Sequence, residues 1–355
     1  MNKSPGSVLL RYLYHVLTLL EITETPKYWL GLAYAEGLAY NVDDMHGLPA
    51  ENIQHPTSNL ALGPLVYQLV AHDSWGEQMV ASLNAHLDME ACERLAPDRI
   101  IHLHSLPQGS GNRGEERALP EKLASWLPDT ATLTQWSYRR DLLNTVWFSE
   151  KSKHCFWTAG ISPQLGSFRY HLPWNLLLHD MRLFNGGLIH GGLAEHQGAA
   201  LLLLAPPDGG KTTTLAAAPT SWQVLSDDAA LIWPLDNNTW QASPLPSWGM
   251  LNRATLGPTA TLSRLDIPVP VRVMLRQYQS DKLHLVSVPP VAALPLIYRA
   301  LCEYPAAFLA DISFRPQYFQ TASALARQVP CWQLDMPLHA DVWPHFENLI
   351  KESQS

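Results

Sequence analysis

The sequence AALLLLAPPDGGKTTTLAAA, residues 199–218, constrains the fold more than any other part of the chain. It opens with a continuous apolar run, which is typical of a strand buried on both faces of a sheet. It closes with KTTTLAAA, which favours the start of a helix. The segment that joins the two, Ala205 to Thr212, fits the pattern [AG]-x-x-x-x-G-K-[ST] of a phosphate-binding loop. A strand, this loop and a helix in succession predict a nucleotide site in an α/β domain.

The residue types in this loop suit a bound phosphate. Backbone N–H groups of such a loop, and of the helix that follows it, attract phosphate oxygens. Lys211 is expected to reach the β- and γ-phosphates, and the Thr212 hydroxyl to ligate Mg²⁺. The Asp208 carboxylate is expected to point away from the phosphates or toward a metal. The residues predicted to contact ATP are Ala205, Asp208, Gly209, Gly210, Lys211, Thr212 and Thr213.

Two further motifs flank the loop. Asp227 and Asp228 end the apolar segment VLSDD, where one acid could hold Mg²⁺ and the other could accept a hydroxyl proton. A solvated turn or a helix cap is the alternative for such acids. His190 lies in LIHGG, before the loop, and a single histidine near a strand is more often structural. The order His-Gly, phosphate loop, Asp-Asp is more informative than any one motif.

This order resembles the HPr kinase/phosphorylase family, whose fold is similar to that of phosphoenolpyruvate carboxykinase. The matching segments are IHGG, GAALLLLAPPDGGKTT, VLSDD and, more weakly, VPCWQLDM, within residues 130–350. The resemblance implies an α/β fold with a mixed sheet and flanking helices around the phosphate loop. It also implies three catalytic residues: Lys211 on the ATP phosphates, Asp227 as general base and His190 steadying Asp227. Thr212 and Asp228 would then lie at Mg²⁺.

The glycine-rich C-terminal signature of bifunctional HPr kinases is not found in the sequence, so phosphorylase activity is not expected. The chain looks more like divergent relatives that include the ScmC-like cassette proteins and the lasso-peptide kinases. This resemblance implies an ATP- and Mg²⁺-dependent kinase acting on Ser or Thr of a ribosomally made precursor peptide or small protein. Two alternatives stay open: a kinase for a small molecule such as free serine, and a non-catalytic nucleotide-sensing or peptide-binding module.

Composition narrows the class of protein. The chain has 355 residues, 46% hydrophobic and 16% charged, which is enough for a large core and two domains. Its formal charge of −8 argues against nucleic-acid binding, which needs a basic face. The four cysteines form no CxxC pair, as expected for reduced thiols in a cytoplasmic protein. The apolar residues 7–22 are interrupted by Arg11 and His15, so a buried helix is expected there, not a membrane span.

The most loop-like segment is LPQGSGNRGEER, residues 106–117. We place a boundary there, between an α+β N-terminal domain over 1–115, which could recognise the acceptor, and a kinase-like domain over 125–350. The sequence leaves open whether the chain forms a homo-oligomer. His102 and His104 are expected to share one strand face, as two metal ligands would, but no third ligand is visible nearby.

Overall fold

The structure is a computed structural model, and it describes most of the chain beyond residue 56. The described residues are 57–86, 96–105, 123, 126–127, 136–140, 144–149, 152–159, 174–206, 209–235, 239–244, 269–303, 315–337 and 340–354. The chain divides into two compact units, Met1–Ile53 and Gln54–Ser355, and every described residue belongs to the second. The helix expected over residues 7–22 therefore lies outside the described residues.

Two sheets are present in the described part of the second unit. The first, here called the N-sheet, has six strands and one helix: β1 (Thr57–Leu62), β2 (Leu65–Ala71), α1 (Ser74–His86), β3 (Arg99–His104), β4 (Ser137–Arg140), β5 (Asn144–Phe148) and β6 (His154–Ala159). Its strand order is β1-β2-β3-β6-β5-β4, with β2, β3 and β6 parallel. Strands β5 and β6 are antiparallel neighbours, with Asn144 opposite Ala159 and Phe148 opposite Cys155.

The N-sheet contains strands from both sides of residues 106–117. Strands β3 and β6, which lie on either side of residues 106–117, pair in parallel from Ile100 opposite His154 to His104 opposite Thr158. The division into two compact units comes after Ile53, and the domain bounds given by the sequence stay a prediction. A glycine-rich, polar composition indicates an exposed connection, but it carries no information on whether the flanking strands pair with each other.

The second sheet, here called the C-sheet, contains the remaining strands. They are β7 (Gly187–His190), β8 (Gly192–His196), β9 (Ala199–Leu204), β10 (Gln223–Ser226), β11 (Ala229–Leu235), β12 (Thr239–Pro244), β13 (Val269–Gln279), β14 (His284–Val288) and β15 (Cys331–Met336). Among the described residues, seven of its nine strands run in the order β10-β8-β9-β13-β12-β11-β7, and β15 pairs with both β13 and β14. Strand β13 is parallel to β9 and β15, and the other pairs are antiparallel.

Helices cover the C-sheet on both faces. They are α2 (Trp174–Leu183), α3 (Lys211–Ala216), α4 (Pro290–Cys302), α5 (Arg315–Gln328) and α6 (Trp343–Gln354). Strand β9 is buried along its whole length, and its alternate side chains enter two different core clusters. Leu202 and Leu204 pack with residues of α4 and α5, whereas Leu201 and Leu203 pack with residues of α6. The predicted α/β fold with a mixed sheet and flanking helices is confirmed.

The segment that leads into β9 differs from its prediction. The sequence predicts two strands over residues 187–204, and the structure has three, because Gly191 separates β7 from β8. Strand β7 pairs with β11, whereas β8 pairs with β9 and β10. The chain changes partners at Gly191, whose added Cβ would lie 2.7 Å from Leu204 Cδ2. A hydrophobic pattern identifies strands, but a change of partner depends on contacts distant in sequence.

A buried ion pair links the N-sheet to α2. Arg99 of β3 donates to both carboxylate oxygens of Asp180, with N···O distances of 2.7 and 3.3 Å. The same guanidinium donates to the carbonyl oxygens of Ser149 and Ser152. The Tyr67 hydroxyl donates to Asp180 from 3.2 Å. Both charged side chains are almost fully excluded from water, at 7% and 1% exposure, so the charges depend on each other and on these hydrogen bonds.

Candidate active site

The predicted phosphate loop connects β9 to α3. Gly210 adopts φ +87°, a conformation that favours glycine, and it is the residue just before the helix. The Gly209 amide donates to the Pro206 carbonyl oxygen from 3.0 Å. A Cβ at Gly209 would lie 2.9 Å from both Ala205 Cβ and the Pro206 oxygen, so the tight turn needs glycine there. Pro207 and Asp208 lie outside the described residues, and the role predicted for Asp208 stays a prediction.

Helix α3 is short, and side-chain contacts fix its position on the C-sheet. The Thr214 hydroxyl lies 3.1 Å from the Gly210 carbonyl oxygen and exchanges a hydrogen bond with the buried Gln277 amide of β13. On β8, a Cβ at Gly192 would collide with Leu215. Thr214 therefore faces the sheet. Thr212 is partly buried and Thr213 is exposed.

Lys211 folds back over the loop that precedes it. Its ammonium donates to the Ala205 carbonyl oxygen from 2.9 Å and lies 3.3 Å from His190 Nε2. Only 8% of the lysine is exposed. A charged amine at such a position needs acceptors around it, because burial of an uncompensated charge is costly. The structure therefore brings two of the three predicted catalytic residues into direct contact.

His190 ends β7, directly opposite Ala229 of β11. Its Nδ1 lies 3.0 Å from Glu303 Oε2, and its Nε2 lies 3.5 Å from Asp228 Oδ1. The backbone adds to this arrangement, because the Gly191 amide donates to the Asp228 carbonyl oxygen from 3.0 Å. The predicted His-Gly element and the predicted Asp pair are thus neighbours.

The Asp pair lies in the turn between β10 and β11. The Ser226 hydroxyl donates to the Ala229 carbonyl oxygen from 2.7 Å and accepts from the Ala229 and Asp228 amides. Asp227 is buried, with 5% exposed, whereas Asp228 is partly exposed and contacts His190. The two acids therefore have different surroundings. The assignment of the general base to Asp227, steadied by His190, stays a prediction; Asp228 is the acid whose carboxylate lies 3.5 Å from His190 Nε2.

Glu303 is a site residue that the sequence analysis missed. It follows α4, more than a hundred residues after His190, and no short motif surrounds it. Burial alone would raise the pKa of Glu303, but the hydrogen bond and charge of His190, together with Arg299, outweigh burial and lower it. The only signal in the sequence is weak: an acid at the C-terminal end of a helix, where the helix dipole disfavours negative charge.

These residues suit the predicted Mg²⁺ and ATP if the protein supplies only one or two of the metal's ligands. Among the described residues, no group of three His, Cys, Asp or Glu side chains could hold a metal alone. Mg²⁺ usually takes one or two protein oxygens and completes its shell with phosphates and water. The partly exposed Asp228 carboxylate and the Thr212 hydroxyl supply ligands of that kind. The site suits a metal that arrives with a nucleotide.

His102 and His104 make separate contacts in the N-sheet. His102 is buried between two other imidazoles, with Nδ1 2.7 Å from His72 Nε2 and Nε2 2.9 Å from His154 Nδ1. His104 Nδ1 lies 2.6 Å from Asp73 Oδ2. Each ring nitrogen of His102 thus faces another ring nitrogen, an arrangement of hydrogen bonds and not of ligands around one point.

None of the described helices is both long and apolar enough to cross a lipid bilayer.

Comparisons with known proteins place the second half of the chain in a family. Among solved structures, the Hpr(Ser) kinase/phosphatase from Coxiella burnetii is 11% identical with a TM-score of 0.27, over 47% of this chain and 95% of that one. No curated protein matches the chain. The family model for the SynChlorMet cassette protein ScmC matches residues 174–351, which is just over half of the chain and includes every residue of the site described above. The chain therefore belongs to the ScmC family of SynChlorMet cassette proteins.

Proposed function

We propose that the chain is an ATP- and Mg²⁺-dependent kinase that transfers the γ-phosphoryl group to a hydroxyl. The observation that carries the proposal is the contact of Lys211 with His190 and of His190 with Asp228 at the end of the phosphate loop. Phosphoryl transfer needs positioned charge more than covalent chemistry from the protein. A lysine, a histidine and an acid pair beside a loop of this pattern are the groups that such a reaction uses.

Each residue has a definite task in this proposal. Lys211 would exchange the Ala205 carbonyl for phosphate oxygens, and Thr212 and Asp228 would hold the metal. Bound Mg²⁺ neutralises developing negative charge on the phosphates. Asp227 would accept the proton of the acceptor hydroxyl, a role that suits a buried carboxylate. His190 would hold the orientation of the acid pair through Asp228.

The proposed acceptor is Ser or Thr of a ribosomally made precursor peptide or small protein. A carboxylate base suits an alcohol acceptor, and membership of a cassette-protein family fits a peptide made nearby. A non-catalytic nucleotide-sensing module is the second candidate. The burial of Lys211 and its hydrogen bond to the protein's own Ala205 carbonyl favour this candidate, because the lysine must give up that bond to reach a phosphate.

Labelled ATP separates these possibilities. The full chain is incubated with [γ-³²P]ATP, Mg²⁺, and either serine-containing peptides or small hydroxyl compounds, and nucleotide binding is measured by calorimetry. Lys211→Ala should lose nucleotide binding, whereas Asp227→Asn should bind ATP but transfer no label. Lys351→Ala, in the last turn of α6, is the matched control and should behave as wild type.

Three results would change the proposal. If wild type binds no nucleotide, the proposal fails entirely. Label on a small hydroxyl compound but not on peptides would replace the proposed acceptor with a small molecule. ATP binding without any transfer would replace the kinase with the sensing module.

A further inference from the structure

We propose that Glu303 is a positioning residue, which holds His190 in the tautomer that presents the Nε2 lone pair to Lys211. Glu303 would not touch the nucleotide or the acceptor. It would act on the phosphate loop through two intermediaries, the imidazole and the lysine. The inference about the reaction rests on the proposed kinase function, whereas the inference about the tautomer does not.

The Glu303 carboxylate is fixed at both oxygens. Oε2 lies 3.0 Å from His190 Nδ1, and Oε1 accepts from Arg299 Nε at 2.5 Å. The glutamate is 19% exposed, as is the histidine, so water has little access to this contact. A carboxylate with two partners cannot rotate without losing one of them. The hydrogen bonds that it accepts from His190 and Arg299 hold its pKa low and keep it ionised at neutral pH.

The donors and acceptors around His190 select one tautomer. An ionised carboxylate only accepts hydrogen bonds, so Nδ1 beside Glu303 must carry the proton. An ammonium only donates, so Nε2 beside Lys211 must present its lone pair. A neutral imidazole with hydrogen on Nδ1 satisfies both neighbours at the observed distances of 3.0 and 3.3 Å.

The opposite tautomer would reverse the contacts at Nε2. Asp228 Oδ1 lies 3.5 Å from the same nitrogen. A hydrogen on Nε2 would be donated to Asp228 and would point away from the lysine, which has no lone pair to accept it. By holding hydrogen on Nδ1, Glu303 therefore makes His190 Nε2 an acceptor for Lys211 and not a donor to Asp228. In the observed arrangement, Lys211 has the Ala205 carbonyl and the imidazole as two acceptors on fixed elements.

The tautomer can be measured directly in the full chain without nucleotide. Long-range ¹H–¹⁵N spectra of ¹⁵N-histidine-labelled protein distinguish protonated from unprotonated ring nitrogens. They are recorded at about pH 8. The signal of His190 is assigned by its loss in His190→Gln. We expect hydrogen on Nδ1 in the wild type.

The variants of Glu303 separate hydrogen bonding from packing. Glu303→Leu removes the acceptor at similar volume and should move hydrogen to Nε2. Glu303→Gln keeps an acceptor oxygen and should keep hydrogen on Nδ1. Lys351→Ala, in the last turn of α6 and outside this contact, is the control and should leave the tautomer unchanged. Glu303→Ala replaces the leucine variant if that variant does not fold.

Turnover then tests the effect on the reaction. Glu303→Leu should lower kcat about 10- to 100-fold, the range expected for loss of a hydrogen bond to a charged group, with a smaller change in KM for ATP. Glu303→Gln should retain most of the turnover. Equal losses in both variants, or hydrogen on Nε2 in the wild type, would overturn the positioning role. A wild type with the expected tautomer but no transfer would refute the kinase function and leave the tautomer assignment intact.

Discussion

The ion pair between Arg99 and Asp180 gives the sharpest test of how the N-sheet is attached. We expect Asp180→Leu to lower the free energy of unfolding by about 3–5 kcal/mol, because the guanidinium of Arg99 would be left buried without its counter-charge. Tyr67 would lose its acceptor as well, which adds to the cost. Arg99→Met should cost a similar amount, since the buried Asp180 carboxylate would lose the guanidinium and keep only its contacts with Tyr67 and His179.

The stability of the double variant, which combines Asp180→Leu with Arg99→Met, is the most informative measurement. Replacement of both charges by apolar side chains of similar size is often neutral or stabilising, because no charge remains in the core. Here the Ser149 and Ser152 carbonyl oxygens lose their donor, so some cost remains, on the order of 1–3 kcal/mol. We therefore expect the double variant to be more stable than either single variant.

Urea unfolding of the full chain, followed by tryptophan fluorescence and circular dichroism, supplies the free energies. Asp281→Asn, in the exposed turn between β13 and β14, is the matched control and should change stability by about 0.5 kcal/mol or less. Costs of the single variants that add in the double variant to within about 0.5 kcal/mol would refute the reasoning, since independent sites behave that way. The comparison requires that the slope of the free energy of unfolding against urea concentration be the same in wild type and variants.

Three further outcomes are expected. Leu202→Ala, in the centre of β9, should lower the free energy of unfolding by about 2–5 kcal/mol, measured by the same urea method. Gly192→Val should displace Leu215 and α3, so calorimetry should find weaker ATP binding with little change in secondary structure by circular dichroism. Burial lowers the pKa of His154, so the unfolded chain binds more protons than the folded chain just below pH 6.5. The free energy of unfolding therefore includes the full contribution of neutral His154 above that pH and loses it as the pH falls. Between about pH 7 and 5, urea unfolding should show a smaller loss of stability for His154→Gln than for wild type. Equal losses in the two proteins would contradict this.

The sequence predicts those parts of the site that depend on neighbouring residues. The strand formed by the apolar run of β9 and the start of α3 follow from patterns within twenty residues, and both are confirmed. Residues in one short motif are also placed together by the strand that carries them. This is why Asp227 and Asp228 are found at the end of β10, as expected.

Features that depend on distant pairing were not predicted. Glu303 reaches His190 only because α4 packs against β7, and no local pattern encodes that contact. The pairing of β3 with β6 across residues 106–117 is of the same kind. Both arise from the packing of whole elements, which sequence periodicity does not describe.

The support of the phosphate loop has a consequence for the order of folding. The Thr214 hydroxyl contacts Gln277, 63 residues later in the chain, and lies 3.9 Å from Met336 Sδ, 122 residues later. His190 contacts Glu303, which lies 113 residues later in the chain. Contacts between such distant residues form slowly, because a long segment of chain must first be ordered. During synthesis, the loop sequence therefore leaves the ribosome well before the residues that hold it in shape, and the site can be completed only when nearly the whole C-sheet is present.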